Sequence, residues 1–295
     1  MGAAVGRWFP KGRPQTVTEG LLAVRRQLDK DRPLPDFLIV GAQRCGTSSL
    51  YKYLEAHPLV VPSLRKETHY FSHHHAKGEA WYRSHFPSRA YRTVVRRRHR
   101  REPLTFEATP AYLFHPWAAE RAAALVSEAQ IVVLLRNPVD RAFSHYHHSV
   151  RRGWEELPFE QAVAVEPERL AGHVERMASD PSYRSNDFLR YSYLARGFYA
   201  DQLERWATHF PRERIHVLRT EDLFDRSMET YHGLLTFLGL PPSSPPELAN
   251  HSYRGSSRPQ GAPMPASVRH TLIEIFAPHN RRLSLFLGRD LGWDE

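Results

Sequence analysis

Cysteine is almost missing from this chain of 295 residues. Cys45 is the single one, which excludes an internal disulfide framework and suits a reducing compartment. Long apolar runs are missing too: the longest are "FLIV" (37–40) and "IVVLL" (131–135), far short of the roughly 20 residues that a membrane-spanning helix needs. The N-terminal stretch "MGAAVGRWFPKGRPQTV" has neither the apolar centre nor the cleavage signature of a secretory leader. Gly6 stands where a myristoylation signal has Ser or Thr. Together these absences predict a cytoplasmic protein without a transmembrane segment. Acidic residues are in deficit, 32 against 41 Lys and Arg, for a net charge of +9. Such an excess attracts anions, whether nucleic acid, phosphorylated small molecules, acidic glycans or lipid headgroups, without choosing among them. No zinc-finger, RNP or basic-zipper pattern accompanies it, so nucleic acid is not expected as a partner. The densest basic run, Arg96 to Arg101, reads as a solvated loop, with the rim of an anion site as the sharper alternative.

What is present is alternation. Residues 1–33 read as an N-terminal extension, a leader strand or short helix. From 34 to 293 a single domain is expected, in which short β-branched runs are each followed by an amphipathic segment. "FLIV" reads as a buried strand, followed by a helix from Thr47 to His57 that carries Leu50, Tyr53, Leu54 and His57 on one face and stops at Pro58. "LTFEA" (104–108), "IVVLLR" (131–136) and "IHVLR" (215–219) are further strands. Helices are expected over "WAAERAAALVSEA", from Pro138 onward, from Tyr199 to Phe210, from Met228 to Leu238 and from about 266 to 287. The helix opened by Pro138 takes its apolar face from Val139, Ala142, Phe143, Tyr146 and Val150. Residues 241–265, rich in Pro, Ser and Gly, read as a long loop. The pattern predicts an α/β fold, a three-layer sandwich with a central, mainly parallel sheet flanked by helices. In such sheets ligands sit outside the carboxyl ends of the strands, so the residues just after each strand are the candidates.

After the first strand comes "GAQRCGTSSL". It is spaced like a phosphate-binding loop, G-x-x-x-x-G-K-[ST], but Thr47 replaces the lysine and the nearest cation, Arg44, lies inside the loop. Gly41 and Gly46 permit the turn, Thr47, Ser48 and Ser49 add hydroxyls at a helix N-terminus, and Gln43, Arg44 and Cys45 complete the loop. A nucleoside triphosphatase needs the lysine and a magnesium site to manage several phosphate charges. A single phosphate needs only the loop, a hydroxyl and one cation. After the strand 131–136, Arg136 and Ser144 are placed to meet a second anionic group. His73 to His75 lack a completing carboxylate or cysteine set, so no metal is expected there.

The segments "FLIVGAQRCGTSSLYKYLEAHP", "KETHYF", "FEATPAYL", "LLRNPVDRAFSHY", "GFYADQLERW", "RIHVLRTEDL" and "FAPHNRRLSLFLGRDLGW" run in one order from about residue 36 to 293. In this the chain resembles the PAPS-dependent sulfotransferases, P-loop-containing proteins, and most of all the branch with the heparan sulfate N- and 3-O-sulfotransferase domains, as a soluble, bacterial-type member. The resemblance implies 3′-phosphoadenosine 5′-phosphosulfate (PAPS) as donor and PAP as product, with no metal required. It places the 5′-phosphosulfate on residues 41–49 and the 3′-phosphate at Arg136 and Ser144. It implies that Glu67 removes the acceptor proton, with His69 beside it, and that Arg44 takes the place of the family's loop lysine. Side chains alternate along an extended segment, so Glu67 and His69 are expected to point the same way. "YRGSS" resembles the segment that closes over the nucleotide, which makes Arg254 and Gly255 candidates for phosphate contacts. Ala108 stands where the family often has a lysine, and Glu107 is left as a polar candidate near the site.

The expected function is transfer of a sulfuryl group to a hydroxyl or amine of an acceptor, in the direction of carbohydrate sulfation. The rivals are a P-loop small-molecule kinase and a non-catalytic anion- or glycan-binding protein on the same fold. An anionic glycan, a glycolipid and a small metabolite all stay open as acceptors. Trp81, Tyr82, Tyr112 and Trp117 read as core or as a sugar-stacking surface.

Overall fold

The computed structural model describes residues 15–29, 31–180, 183–244 and 263–293. In chain order its elements are α1 (Gln15–Leu28), β1 (Phe37–Gly41), α2 (Thr47–Glu55), β2 (Val60–Pro62), α3 (Glu79–Arg83), α4 (Arg89–His99), β3 (Leu104–Ala108), α5 (Ala118–Val126), β4 (Gln130–Leu135) and α6 (Pro138–Arg151). There follow α7 (Phe159–Ala164), α8 (Glu166–Leu170), α9 (His173–Ser179), α10 (Asn186–Arg190), α11 (Tyr199–Ala207), β5 (Ile215–Arg219), α12 (Thr220–Asp225), α13 (Ser227–Phe237) and α14 (Ala266–Leu287).

β1 and β4 are nearly continuous apolar runs because both faces of the sheet are covered, whereas β3 carries Thr105 and Glu107, which are buried and hydrogen-bonded. Every residue of β1 is buried, and so is all of β4 after Gln130. The five strands pair in the order β2-β3-β1-β4-β5, and every pairing is parallel. Ile39 on β1 stands opposite Ala108 on β3 and Val132 on β4. The chain lays β2 and β3 on one side of β1 and then crosses to β4 and β5 on the other. The crevice at the carboxyl ends of β3, β1 and β4 therefore opens at the reversal of strand order, where open α/β sheets bind ligands. The main core joins the sheet to Leu50 and Leu54 of α2, Ala122 of α5, Leu203 and Trp206 of α11 and Leu234 of α13. A second cluster, with Val139, Ala142, Phe159, Tyr193, Leu272 and Phe276, fastens α6, α7 and α14 together.

The expected elements are present, with bounds trimmed by one to three residues at several helix ends. Three expectations differ. Arg96 to His99 are not loop but the last turns of α4, a helix capped by Ser88 Oγ accepting from Tyr91 N at 3.2 Å. Val150 is 41% exposed, because the apolar face of α6 runs out before its last turn. Of the two readings of residues 1–33, residues 15–28 take the helical one, and Leu22 of α1 is buried in the main core. Glu67 and His69 do not lie in a strand: both have left-handed backbones, at φ 64° and 56°. Of the loop expected at 241–265, residues 245–262 lie outside the described residues. No helix among the described residues is long and apolar enough to cross a membrane.

Candidate active site

The loop from β1 to α2 begins by burying its own start. A Cβ on Gly41 would sit 2.5 Å from Leu113 Cβ, so only glycine lets the loop leave the strand here. Ala42 N donates to Leu134 O at 2.7 Å, and Gly46, at φ 86°, turns the chain into α2. Gln43, Arg44, Gly46, Thr47, Ser48 and Ser49 then line a cleft of about 510 Å³. Cys45 does not join them. Its side chain is fully buried, 3.7 Å from Tyr199 OH, and burial pushes the thiol up to about 11. Its N–H is already given to Ala42 O and its carbonyl accepts from Thr220 Oγ1, so Cys45 is a packing residue of the loop.

Arg44 is held in a left-handed backbone at φ 73°, a conformation that costs a non-glycine residue about 1–3 kcal/mol and is kept where the surroundings fix it. Nε and Nη2 both reach Ser144 Oγ, at 3.2 Å each. Burial, then the nearby Arg151, Arg136 and Arg141, lower its pKa to about 10, so it stays charged at neutral pH. No carboxylate among the described residues pairs with it. Ser144 projects from α6, whose start is set by Pro138 and by Asn137 Oδ1 accepting from Val139 N and Asp140 N. Arg136 and Ser144 are thus beside Arg44, although neither lines the cleft itself. Arg254 and Gly255 lie outside the described residues.

Glu67 and His69 line the same cleft. They meet although the backbone is not extended: His69 Nε2 is 3.5 Å from Glu67 Oε2, and Lys66 Nζ is 2.8 Å from Oε1. Burial favours the neutral acid, but the hydrogen bonds and charges of His69 and Lys66 outweigh it and bring the pKa of Glu67 to about 2. Among the described residues, three of the four non-glycine residues with a positive φ are Arg44, Glu67 and His69, so the unusual backbones gather at this cleft.

Beneath this pair lies Glu107, fully buried on β3. It accepts four hydroxyl hydrogen bonds: Thr68 Oγ1 at 2.6 Å, Thr109 Oγ1 at 3.0 Å, Tyr112 OH at 2.9 Å and Tyr82 OH at 3.0 Å. Ala108 is buried as well, and its carbonyl accepts from Glu67 N at 3.0 Å. Trp81, Tyr82 and Tyr112 are core residues rather than a sugar platform.

The rest of the cleft was not foreseen. His148, Arg152, Trp154, Asn186, Leu189, Arg190 and Arg196 form it together with Pro110 and Ala111. His148 sits one helical turn beyond Ser144 on α6, the only one of these with a signal in the sequence. Burial and Arg44 push it down to about 4, so it is neutral at physiological pH. The Trp154 ring lies 4.6 Å from the Arg190 guanidinium and 5.9 Å from that of Arg152. Arg196 is 3% exposed, and its Nη1 has no hydrogen-bond partner among the described residues. Among the described residues no group of His, Cys, Asp and Glu is arranged to hold a metal ion, His73 to His75 included.

A family profile described as "Sulfotransferase domain" matches residues 34–258, and the chain belongs to that family. It is 29% identical to the human heparan sulfate glucosamine 3-O-sulfotransferase 3A1, over 96% of this chain and 68% of that protein. It is 26% identical to the membrane-associated sulfotransferase kil1 of Dictyostelium discoideum and 28% to the bifunctional heparan sulfate N-deacetylase/N-sulfotransferase 1 of Caenorhabditis elegans, over 88% of this chain in both cases. The chain spans less than two thirds of those two proteins, 66% and 30%. The crystal structure of a sulfotransferase from Alicyclobacillus acidocaldarius superposes with a TM-score of 0.67 at 30% identity, covering 89% of this chain and 100% of that one. The P-loop-containing α/β fold of the sulfotransferase family follows from these matches.

Proposed function

We propose that this sulfotransferase takes its sulfuryl group from PAPS and passes it to a hydroxyl or amine of a carbohydrate or glycoconjugate, with Glu67 as the base and Arg44 stabilising the leaving phosphate. The observation that carries the reading is that both side chains line one cleft, and among the described residues the cation has no carboxylate partner and the carboxylate no arginine. PAPS supplies an activated sulfuryl group on a phosphate leaving group. The residues fit such a group: Gly46, Thr47, Ser48 and Ser49 offer a helix N-terminus and hydroxyls, and Arg44, Arg136 and Ser144 gather beside them. Arg254 and Gly255 are assigned to the nucleotide phosphates on the family resemblance alone.

In the transfer the acceptor oxygen forms the new bond to sulfur as the bond from sulfur to the bridging phosphate oxygen breaks. Arg44 faces the charge that grows on that oxygen, a role typically worth about 3–4 kcal/mol. It acts as a fixed cation, since an arginine does not give up its proton in this chemistry. The acceptor proton goes to Glu67. At about 2 its pKa is low for a base, and base catalysis works best near the operating pH. Filling the cleft removes water from Glu67, and burial is the influence that already pushes its pKa upward. His69 orients the carboxylate from Oε2. On the acceptor side Arg152, Arg190 and Arg196 face the cleft with Glu67 as its one lining carboxylate, which suits an anionic glycan. The lone buried cysteine fits a cytoplasmic setting.

The test is thermal stabilisation by PAP, with ATP plus Mg²⁺ and 5′-AMP as controls. At 100 times its dissociation constant PAP stabilises the fold by about 2.7 kcal/mol. A shift by PAP without metal, and much less by 5′-AMP, supports the reading. A shift by ATP with Mg²⁺ alone returns the P-loop kinase. If PAP binds but no radiolabel passes from ³⁵S-PAPS to a uronic-acid-containing polysaccharide or to other acceptors, the protein is the non-catalytic binder.

A further inference from the structure

Glu107 is too far into the core to touch a ligand, yet its partners converge on the segment that carries the proposed base. Three of its four donors have a second contact, and the three contacts fall on consecutive residues. Thr109 Oγ1 accepts from His69 N at 3.3 Å, Thr68 Oγ1 from Tyr70 N at 3.3 Å, and Tyr112 OH from Phe71 N at 3.2 Å. A hydroxyl has one hydrogen to give. Burial raises the pKa of Glu107 and its four hydroxyl hydrogen bonds work against that; as a carboxylate it only accepts, so it draws the hydrogens of all three hydroxyls inward, in preference to the 3.1 Å contact between Thr68 Oγ1 and Tyr112 OH, and turns lone pairs outward, toward the three backbone N–H groups. Glu107 thereby fixes the direction of three hydrogen bonds that it does not itself make.

What those bonds hold is an uncommon backbone. Glu67 and His69 have positive φ on either side of Thr68, a state that persists only where neighbours over-determine it. On the near side the segment is fastened by Glu67 N to Ala108 O. On the far side it is fastened by the three hydroxyls. We propose that Glu107 is a positioning residue for sulfuryl transfer: through Thr68, Thr109 and Tyr112 it clamps the backbone of residues 69–71 and so keeps Glu67 and His69 aimed into the cleft. The inference rests on the reading of Glu67 as the base.

A glutamine at 107 keeps the shape and spoils the polarity. Its amide nitrogen donates, so at either end of the side chain two hydroxyls meet a donor where they had an acceptor. At least one of the three backbone N–H bonds then loses its oriented acceptor. Tyr82 separates this role from plain stability. It donates to the same carboxylate but accepts from none of residues 69–71.

The experiment measures the rate of PAP formation from PAPS, with the polysaccharide probe and with water alone as acceptor, together with PAP-induced stabilisation. Glu67→Gln is expected to lose about 10²- to 10⁴-fold in kcat. Glu107→Gln and Thr68→Val are each expected to lose about 10- to 100-fold, a loss of the size that misplacing a reacting group causes, while PAP stabilisation and the KM for PAPS stay within about 2-fold. The double variant loses no more than the worse single one, because both break one device. Tyr82→Phe lowers Tm but leaves kcat within about 3-fold, since the hydroxyl it removes bonds only the carboxylate while the ring that packs on Tyr70 and Phe71 is kept. Wild-type kcat in Glu107→Gln beside an inactive Glu67→Gln overturns the inference and spares the base. An active Glu67→Gln removes the base reading instead. If Tyr82→Phe falls as far as Glu107→Gln, or the losses multiply in the double variant, the role is general stability and the inference fails. Should Glu107→Gln not fold, Thr68→Val decides alone, and full kcat there overturns it.

Discussion

The two walls of the cleft are built on opposite plans. The wall from the β1–α2 loop keeps donors in hand: among the described residues Arg44 hydrogen-bonds Ser144 Oγ and no carboxylate, and Ser48 is exposed at the helix start. The wall from β3 and residues 67–71 has used its donors up, with Thr68, Thr109, Tyr82 and Tyr112 all committed to Glu107. The first plan is that of a binding surface, whose unpaired cation waits for an anion. The second is that of a mounting, whose hydrogen bonds are internal and whose product is the direction of one carboxylate. Strained backbone occurs on both, at Arg44 on one wall and at Glu67 and His69 on the other. Strain therefore gathers at the groups proposed to meet the substrate, and in that proposal hydrogen-bond completeness separates holding a ligand from aiming a side chain.

Removing the waiting cation is the strongest way to break this contrast. Arg44→Ala is expected to lower kcat by about 10²- to 10³-fold, and to weaken PAP-induced stabilisation as well, read by steady-state kinetics and thermal shift. Little change in either would make Arg44 a bystander. Next comes the loop's foundation. Gly41→Ala pushes a methyl group into Leu113, 2.5 Å away, and is expected to cost about 1–3 kcal/mol in urea unfolding. Ser144→Ala removes the one hydroxyl on Arg44 and is expected to cost about 0.5–1.5 kcal/mol of PAP affinity, with kcat nearly kept. An equal loss in kcat would show that Ser144 aims Arg44 as the opposite wall aims Glu67.

The smallest effect concerns pH. Glu67 has a folded pKa of about 2, below the free value of 4.5, so its ionised form stabilises the fold above about pH 4.5 and that contribution fades as pH falls toward 2. With the side chain 41% exposed, solvent screening keeps it small. The stability difference between wild type and Glu67→Gln should shrink across that window in urea titrations. A difference that grows on acidification would reverse the sign and detach Glu67 from Lys66 and His69.

Much of this molecule is written in its local patterns. β1 and β4 are legible because strands covered on both faces show as nearly unbroken apolar runs, and β3 and β5 occupy the segments "LTFEA" and "IHVLR" although Glu107 and His216 interrupt theirs. The β1–α2 loop is legible because glycines and hydroxyls at fixed spacing do one local job. Glu67 and His69 were found as a pair, though for the wrong geometric reason: two left-handed residues bring them together, not the alternation of a strand. Cys45 was placed with the loop because it is adjacent in sequence, while its side chain turns into the core beside Tyr199.

The sequence by itself determined the parallel α/β sheet, the phosphate-type loop with its unusual arginine, and the family. Each of these rests on neighbours in the chain, and neighbours can be read in order. Only the tertiary structure decided the acceptor wall and the mounting of the base. His148, Trp154, Arg190 and Arg196 come from the end of α6 and from the irregular stretch around α10, and no period connects them. Glu107 meets Thr68 39 residues away and Tyr82 25 residues away. A buried carboxylate must find its donors wherever the fold brings hydroxyls to it, and that search is settled by packing in three dimensions, not by spacing along the chain.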